Sequence, residues 1–325
     1  MALGPIQVSW EITAKCNLKC VYCYTNSPRA LKELKREECF KLLEELKDFG
    51  VLRIVFTGGE PFLREDFLEI LRYASLLGFF SNVITNGSLL SESVVKQLSK
   101  IERLGLMVTL HSSKPELEEM IRRGIHYKMV LSGIKLLAKY NVNFCVGTPV
   151  TKLNYGDVKN LITSCEKLKI PKIRFLRFVP VGRGNVNLSI STIELDKILD
   201  EIKLRRSNLE IELDDFEEGY CPAAKMECAI TADGYVLPCP FFRNIVAGNI
   251  RVSKFSDIWQ NSKNMKLFRN INPKKLKGFC KTCNNNRICK GGCRVFAYIY
   301  YGDFYAENPV CSHNSNYKKG IVNVK

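Results

Sequence analysis

Cysteine is the residue type with the most chemistry to offer in this chain. Three of its fourteen cysteines form the pattern Cys16-x3-Cys20-x2-Cys23, and eight more fall between Cys221 and Cys311. Thiolates at such short spacings are typical ligands of iron–sulfur clusters or of zinc. A loop with three thiolates can hold only three of the four irons of a cubic cluster, so one iron stays open to a substrate or cofactor. The first loop therefore predicts a reactive metal site.

A glycine-rich turn follows where a second part of this site is expected. Thr57-Gly58-Gly59-Glu60-Pro61 comes directly after the apolar run 52–56, and the cysteine loop itself follows the strand-like segment 8–12. Glycine lets a backbone approach a ligand closely, and a carboxylate pairs with a cation. The three-cysteine loop and this turn, in this order, resemble the radical S-adenosylmethionine (SAM) enzymes.

The resemblance implies a pair of cofactors and their ligands. In that family the three cysteines bind a [4Fe–4S] cluster, and the open iron chelates the amino and carboxylate groups of SAM. Gly58, Gly59 and Glu60 match the motif that receives the methionyl ammonium. Pro61 belongs to the same turn and Tyr22 to the cysteine loop, so we expect all five residues to contact SAM. A zinc loop beside an ordinary Gly-Gly turn is the alternative, which the order of the two motifs disfavours.

Strand-like and helix-like segments alternate through the first half of the chain. Amphipathic stretches such as 39–49 and 65–77 separate strand patterns near residues 6–13, 51–57, 79–85, 104–110, 142–150 and 172–179. Six β/α units in series predict an α/β fold built as a parallel barrel, which binds ligands at the carboxyl ends of its strands. This agrees with the partial (β/α)6 barrel that the resemblance to radical SAM enzymes implies.

Residues at the later strand ends match further SAM contacts of the family. Thr109 and Ser112 end the fourth strand, where relatives often carry an aspartate that contacts the ribose and this chain has His111. Their hydroxyls are expected to bond a ribose hydroxyl. Asn154 closes a threonine-rich segment after the fifth strand, and Val179 follows the sixth, where it would cover the adenine. His111 itself is more often a satisfied polar group than a ligand.

The later cysteines resemble the SPASM extension of radical SAM enzymes, and the match covers nearly all of residues 221–312. The flanking words Gly234-x4-Cys239 and Gly291-Gly292-Cys293-Arg294 agree with it. The resemblance implies two auxiliary [4Fe–4S] clusters, hence three clusters in all. Family analogy gives the first auxiliary cluster Cys221, Cys228, Cys239 and Cys293, and the second Cys280, Cys283, Cys289 and Cys311. Cys221 is the least regular match, and a pair of zinc sites is the alternative.

These motifs divide the chain into three predicted regions. We expect a radical SAM partial barrel at 1–190, a bridging segment at 191–220 and a cysteine-rich SPASM domain at 221–325. The bridge contains a predicted helix at about 192–206 and an acidic cluster at 214–218, which reads as solvated surface. The three remaining cysteines lie in helix or strand patterns and are expected to be small buried hydrophobes, namely Cys39, Cys145 and Cys165.

Composition indicates a reducing compartment. The chain has 325 residues with 46% hydrophobic content, and it contains no apolar run that reaches the ~20 residues of a membrane span. Its cysteines are spaced like metal ligands and no export signal precedes them, so a disulfide framework is excluded and the cytoplasm is predicted. The net charge of +16 is spread along the whole length. That distribution predicts no nucleic-acid or membrane partner; most of it reads as solvated surface, with an electropositive mouth as the functional alternative.

Chemistry follows from the resemblance, while the substrate stays open. Reduction by a partner such as ferredoxin or flavodoxin would cleave SAM to a 5'-deoxyadenosyl radical, which abstracts hydrogen from the substrate. Most SPASM relatives modify peptides, so oxidative modification of a peptide or protein is the expected function. Only fifteen residues precede Cys16, so a leader-binding domain is expected to be absent or supplied by a separate protein. Pro240 after Cys239 disfavours formylglycine formation, since relatives with that activity have an aspartate there.

Two alternatives remain. The stretch from Gly291 to Cys311 resembles enzymes that decarboxylate tetrapyrrole propionates, and a basic chain suits such anionic side chains. Arg177, Arg183 and Lys152 follow the fifth and sixth strands and are expected to pair with those carboxylates. A non-catalytic iron–sulfur electron carrier is the alternative of another class, but a carrier needs no open iron. No catalytic acid or base can be assigned from the sequence.

Overall fold

The computed structural model describes residues 4–124, 127–190, 194, 198, 200, 202, 208–213, 221–311 and 313. The strands are β1 (Gln7–Thr13), β2 (Arg53–Gly58), β3 (Phe80–Thr85), β4 (Leu104–Thr109), β5 (Phe144–Val150), β6 (Lys172–Arg177), β7 (Glu210–Leu213), β8 (Glu227–Ile230), β9 (Tyr235–Leu237) and β10 (Gly248–Asn249).

Most helices alternate with these strands. They are α1 (Arg36–Asp48), α2 (Phe67–Leu76), α3 (Glu92–Leu98), α4 (Pro115–Arg122), α5 (Tyr127–Lys139), α6 (Val158–Lys167), α7 (Phe255–Asn261), α8 (Lys263–Arg269), α9 (Phe279–Thr282), α10 (Asn286–Cys289) and α11 (Arg294–Tyr301). Short 3₁₀ turns occur at Pro61–Leu63, Tyr155–Asp157, Val186–Leu188 and Pro273–Lys275. None of the described helices is long and apolar enough to cross a membrane.

All strands belong to one open sheet, ordered β10-β9-β8-β1-β2-β3-β4-β5-β6-β7. Among the described strands, neighbours from β8 through β7 run parallel, and β9 runs antiparallel to both β8 and β10. The predicted α/β class with six β/α units is therefore confirmed. Parallel connections place the ends of β1 to β6 along one edge, which is where the predicted site residues lie. The predicted helix at 192–206 lies mostly, and the acidic cluster at 214–218 wholly, outside the described residues.

The sheet extends past the six predicted strands on both sides. Strand β7 adds to β6, and β8, from the cysteine-rich region, pairs with β1 in parallel so that Gln7 faces Glu227 and Val8 faces Cys228. Strand β8 has only four residues and its partner lies 220 residues away, so no local pattern could reveal the pairing. The cysteine-rich region is thus joined to the barrel by backbone hydrogen bonds.

Apolar side chains of the strands and helices form the core. In β1 the side chains of Val8, Trp10 and Ile12 are at most 1% exposed. Cys39 on α1 and Cys165 on α6 are fully buried, as predicted. Cys145 on β5 is only half-buried, contrary to prediction, because its side chain lies toward the charged groups of β6 and β7 rather than in the core.

Candidate cofactor and metal site

The three-cysteine loop leaves the end of β1 and is anchored to a helix. Its backbone N–H groups at Lys19 and Val21 donate to the carbonyls of Arg123 and Ile121 at the end of α4, at 3.3 and 2.9 Å. The three thiols are half-buried. Burial raises the pKa of the Cys16 thiol to about 11, so this group is a neutral thiol until a metal displaces its proton. The loop thus offers three thiols from one rigid turn.

Two glycines let the β2 turn lie directly on this loop. The N–H groups of Gly59 and Glu60 donate to the carbonyls of Thr13 and Lys15, each at 2.8 Å. A Cβ on Gly58, whose φ is +120°, would collide with the Thr13 carbonyl, and one on Gly59 would collide with that of Lys15. Glycine is therefore required at both positions because the two backbones touch. The turn and the cysteine loop form one unit, as the sequence predicted for a shared site.

The Glu60 side chain joins β2 to the end of β3. It is fully buried, and its carboxylate accepts hydrogen bonds from Phe62 N at 3.3 Å, Thr85 Oγ1 at 2.8 Å and Asn86 N at 2.7 Å. Burial outweighs these donors and raises the pKa of the Glu60 carboxyl. Its role as a brace is thus visible in the structure. Its pairing with a methionyl ammonium stays a prediction.

A buried polar cluster lies at the end of β4. Glu118 accepts from the His111 ring at Nδ1 (3.3 Å) and from Arg122 Nη1 (3.0 Å), and all three side chains are at most 1% exposed. Burial lowers the pKa of the His111 imidazole. Burial alone would raise the pKa of Glu118, yet His111 and Arg122 outweigh it and lower that pKa to about 2. The His111 ring also packs on Tyr22 of the cysteine loop, with ring centroids 4.6 Å apart.

The two ring nitrogens of His111 differ in their surroundings. Nδ1 faces Glu118, whereas Nε2 is buried and forms no hydrogen bond with any residue that the structure describes. A buried polar atom without a partner costs free energy unless a ligand supplies one. This orphaned atom, beside the cysteine loop, fits a site that a polar ligand completes.

The other predicted SAM contacts are engaged within the protein. Ser112 Oγ donates to Asp157 at 2.7 Å, and Thr109 Oγ1 donates to the Thr85 carbonyl at 3.4 Å. Val179 is 8% exposed and belongs to the apolar core. Pro61 is buried as the first residue of a 3₁₀ turn. Their contacts with SAM stay predictions.

The side-chain amide of Asn154 forms hydrogen bonds through both Nδ2 and Oδ1 and so connects the ends of two strands. Nδ2 donates to the carbonyls of His111 (3.1 Å) and Pro149 (3.0 Å), and Oδ1 accepts from the N–H and hydroxyl of Thr151. These bonds hold the end of β4 against the end of β5. The amide thus positions His111, and its predicted contact with SAM stays a prediction.

Arg183 clamps the loop after β6 onto the cysteine loop, a contact that the sequence did not reveal. Its N–H donates to the Cys23 carbonyl at 3.0 Å, and its guanidinium donates to the Cys20 carbonyl at 2.9 Å and to Asn26 at 3.1 Å. Gly182 precedes it with φ +68°, and a Cβ there would collide with the Cys23 carbonyl. The guanidinium thus uses Nε and Nη1 within the protein, and its predicted pairing with a substrate carboxylate stays a prediction.

A second site is a cavity of about 220 Å³ in the cysteine-rich region. Seven of the eight predicted ligands line it, together with Arg177 from the end of β6 and Glu227 from β8. Those seven cysteines are Cys221, Cys239, Cys280, Cys283, Cys289, Cys293 and Cys311. Cys228 does not line the cavity; it is fully buried in the apolar core. The structure thus brings together seven of the eight thiols.

The thiols of this region surround a common space. Within the described part of the chain, no three His, Cys, Asp or Glu side chains converge on one point as the ligands of a zinc ion do. The assignment of individual cysteines to individual clusters stays a prediction. Burial raises the pKa of Cys221 to about 11 and that of Cys239 further, so metal ligation must displace their protons.

Arg294 places a buried positive charge among these cysteines. It is 1% exposed, and its guanidinium donates to the carbonyls of Ala306 at 2.6 Å, Phe304 at 3.2 Å and Gly291. Burial lowers the pKa of its guanidinium, while the nearby thiols oppose that shift. A cation here would offset the negative charge of ligated clusters. The sequence analysis identified the motif Gly291-Gly292-Cys293-Arg294 but assigned no role to Arg294.

Two family models match the chain. The radical SAM superfamily matches residues 10–165, and the SPASM iron–sulfur cluster-binding domain matches residues 221–284. The chain thus contains a radical SAM domain followed by a SPASM iron–sulfur domain. It is therefore an enzyme that binds SAM and iron–sulfur clusters, as the cysteine motifs predicted.

Individual relatives cover almost the whole chain. The AdoMet-dependent heme synthase of Methanosarcina barkeri is 29% identical, over 98% of this chain and 99% of that protein. The mycofactocin maturase MftC of Mycolicibacterium smegmatis is 27% identical, over 95% of this chain and 83% of that protein. Among solved structures, SuiB of Streptococcus suis bound to SAM superposes with a TM-score of 0.83 at 21% identity, covering 95% of this chain and 78% of that one. SuiB also has a structure bound to its precursor peptide SuiA.

Proposed function

We propose that this enzyme oxidatively decarboxylates a propionate side chain of a tetrapyrrole. The observation that carries the proposal is the end-to-end match to a heme synthase, over 98% of this chain and 99% of that protein. The stretch from Gly291 to Cys311, which lines much of the cysteine-rich cavity, supports it from the sequence side. The sequence analysis ranked a peptide substrate first because most SPASM relatives modify peptides. We rank the tetrapyrrole first because the match to the heme synthase covers 99% of that protein, whereas the match to the maturase covers 83% of its relative.

The residues of the cysteine loop would hold the first cluster and SAM. Cys16, Cys20 and Cys23 offer three thiols, and the backbone of Gly58 and Gly59 offers a surface that a ligand can approach closely. When bound, SAM and its cluster supply a carbon radical that removes a hydrogen atom, and the auxiliary clusters supply an acceptor for one electron. The protein's part is to position the substrate and to exclude water and other hydrogen donors.

The proposed reaction balances at the substrate. Removal of one hydrogen atom from the carbon next to the ring leaves a radical beside the carboxylate-bearing carbon. Loss of carbon dioxide and of one electron then gives a vinyl group. No protein acid or base is required, which agrees with a site whose titratable groups are held in ion pairs such as Glu118–Arg122.

Arg177 is the best placed of the three basic residues predicted to pair with a carboxylate. It ends β6, lines the cavity and lies over the ring of Phe296 with its guanidinium carbon 5.5 Å from the centroid. Arginine binds carboxylates through paired hydrogen bonds, and a flat apolar ring beside it suits a macrocycle. Lys152 is exposed outside this cavity, and Arg183 is engaged with the cysteine loop.

A peptide maturase is the second candidate. The mycofactocin maturase and the peptide-bound SuiB support it, the first by sequence and the second by fold. This second candidate keeps three predictions made from the sequence. They are a location in the cytoplasm, a reductant of the ferredoxin or flavodoxin type, and a separate leader-binding protein.

One assay distinguishes these functions. The anaerobically reconstituted, dithionite-reduced enzyme is mixed with SAM and either an iron porphyrin bearing propionates or peptides that contain Cys, Tyr or Lys. The proposal expects 5'-deoxyadenosine and vinyl product with the porphyrin only, and a loss of porphyrin turnover in Arg177→Gln with SAM binding retained. Turnover of a peptide alone would establish the maturase. Absence of 5'-deoxyadenosine with every substrate and reductant would leave the electron carrier.

A further inference from the structure

Cys228, one of the four predicted ligands of the first auxiliary cluster, does not line the cysteine-rich cavity. Successive side chains of a strand point to opposite faces, and Glu227, its neighbour on β8, lines the cavity. Cys228 therefore points to the other face, where it lies opposite Val8 of β1 and is 0% exposed. Cys228 belongs to the apolar core and is absent from the residues that line the cavity.

Three other cysteines do lie together. Cys221 directly precedes the turn that leads into β8, Cys239 follows β9, the antiparallel neighbour of β8, and Cys293 directly precedes α11. All three line the cavity. Of the four thiols predicted for the first auxiliary cluster, three thus line the cavity and Cys228 does not.

The loop between Cys221 and β8 brings Glu227 to the same place. After Cys221 the chain folds back, because the Pro222 carbonyl accepts the N–H groups of Lys225, Met226 and Glu227 at 3.0, 2.9 and 3.2 Å. A tight turn of this kind holds the residue that closes it beside the one that opens it. Glu227 thereby returns to Pro222, the residue that directly follows Cys221.

A second set of bonds ties this loop to Cys239. The Ala224 N–H donates to the Glu227 carbonyl at 2.7 Å and to the Pro238 carbonyl at 3.1 Å. Pro238 directly precedes Cys239. These bonds connect the segment of Glu227 to Pro222 and Pro238, the neighbours of the two cysteines in the chain, and Glu227 is the carboxylate residue among those that line the described cavity.

We propose that Glu227 supplies the fourth ligand of the first auxiliary cluster, a carboxylate oxygen where a Cys228 thiolate was expected. Iron accepts carboxylate oxygen as well as thiolate sulfur. Ligating carboxylates are usually held by a further hydrogen bond, and Gln7 Nε2 of β1 donates to Glu227 Oε2 at 3.3 Å. The proposal rests on the presence of the auxiliary cluster in the proposed function. It assigns to β8 a ligand from the cavity face and leaves the core face apolar.

Iron and sulfide counts on the full-length, anaerobically reconstituted protein test this assignment without any turnover. Cys228→Ala and the bulkier Cys228→Val should keep the wild-type iron count. Glu227→Ala should lose about one iron per chain and give the EPR signal of a three-iron cluster after mild oxidation. Glu227→Cys should restore the iron with a changed EPR spectrum, and Glu227→Gln, which keeps the shape and the Gln7 contact, should lose iron as Glu227→Ala does.

Three outcomes of these measurements would contradict the cluster assignments. Loss of about four irons in both Cys228 variants, with Glu227→Ala unchanged, would return the ligand to Cys228. Wild-type iron and an unaltered EPR spectrum in every Glu227 variant would show that Glu227 is not a ligand. A wild type with about four irons rather than about twelve would overturn the cluster assignment itself. The substrate proposal depends on none of these counts, since it is decided by product analysis.

Discussion

Glu60 shows how one side chain can serve two elements of a binding site. It is buried with three donors on its carboxylate, from Phe62, Thr85 and Asn86, so it fixes the β2 turn against the end of β3. The turn in turn lies on the cysteine loop. A substitution of Glu60 should therefore disturb the place where SAM is expected to bind.

Replacement of Glu60 by alanine should lower both stability and SAM affinity. It leaves buried donors without an acceptor, which costs about 1–3 kcal/mol for each group. Urea unfolding measures the first effect and equilibrium dialysis with labelled SAM the second. Glu60→Gln, which keeps one acceptor oxygen, is the matched control and should be less affected. Wild-type stability and affinity in Glu60→Ala would show that the brace is not needed.

Glu118 gives the protein a defined sensitivity to acid. Its pKa in the folded protein is about 2, below the unfolded value, because His111 and Arg122 favour the carboxylate. A depressed carboxyl pKa stabilises the fold above the unfolded value of about 4.3, and this contribution is lost as pH falls toward 2. Stability between pH 5 and pH 2, followed by urea unfolding, should therefore fall steeply.

The variant Glu118→Gln separates this effect from general acid denaturation. It leaves the Arg122 cation buried without its partner, which costs about 3–5 kcal/mol at neutral pH. Over the window from pH 5 to pH 2 its stability should change less than that of the wild type, since the titrating group is gone. An equally steep loss in the variant would assign the acid sensitivity to other carboxyls.

At the scale of elements, the cysteine loop is held by three neighbours: the β2 turn, the end of α4 and the loop after β6. Backbone bonds from Gly59, Val21 and Arg183 make these three contacts. Each crosses from one β/α unit to another. The geometry of the thiols therefore depends on the assembled sheet, and a local defect in the turn should disturb metal binding before it disturbs the fold.

Gly59→Ala tests that dependence. The added Cβ would collide with the Lys15 carbonyl, next to Cys16, so the variant should retain its far-UV circular dichroism but bind the first cluster weakly. Gly156→Ala is the matched control, because nothing lies within 4 Å of a Cβ at that position. Iron content and SAM cleavage after reconstitution report the outcome. Equal iron in the two variants would mean that the loop tolerates a shifted turn.

The elements differ in how far the sequence could predict them. Strands such as Phe80–Thr85 and the helix Arg36–Asp48 carry apolar repeats long enough to be recognised, and the cysteine spacing marks the site. Strand β8 and the loop contacts of Arg183 depend on residues far apart in the chain, so no local pattern encodes them. The burial of Cys228 in the core was not predictable for the same reason: spacing counts cysteines but does not say which face of a strand they occupy.

Across the whole molecule, charge is the property most relevant to the proposed substrate. The net charge is +16, and Arg177 borders the cysteine-rich cavity. Exposed charge pairs are screened beyond about 8 Å at physiological ionic strength. Binding of a propionate porphyrin, followed by absorbance titration, should weaken as salt rises, and the esterified porphyrin should bind weakly at every salt concentration. An affinity independent of salt would exclude carboxylate pairing as a source of binding.

The transfer of a hydrogen atom from a propionate to the 5'-deoxyadenosyl group of SAM is the central claim, and an isotope label follows it directly. An iron porphyrin deuterated at the propionate carbons next to the ring is incubated with reduced enzyme and SAM, and the 5'-deoxyadenosine is analysed by mass spectrometry. The account predicts deuterium in 5'-deoxyadenosine in step with vinyl product, and unlabelled 5'-deoxyadenosine from porphyrin deuterated only at the methyl groups. Vinyl product without deuterium in 5'-deoxyadenosine, or label acquired only from a deuterated peptide, would contradict it.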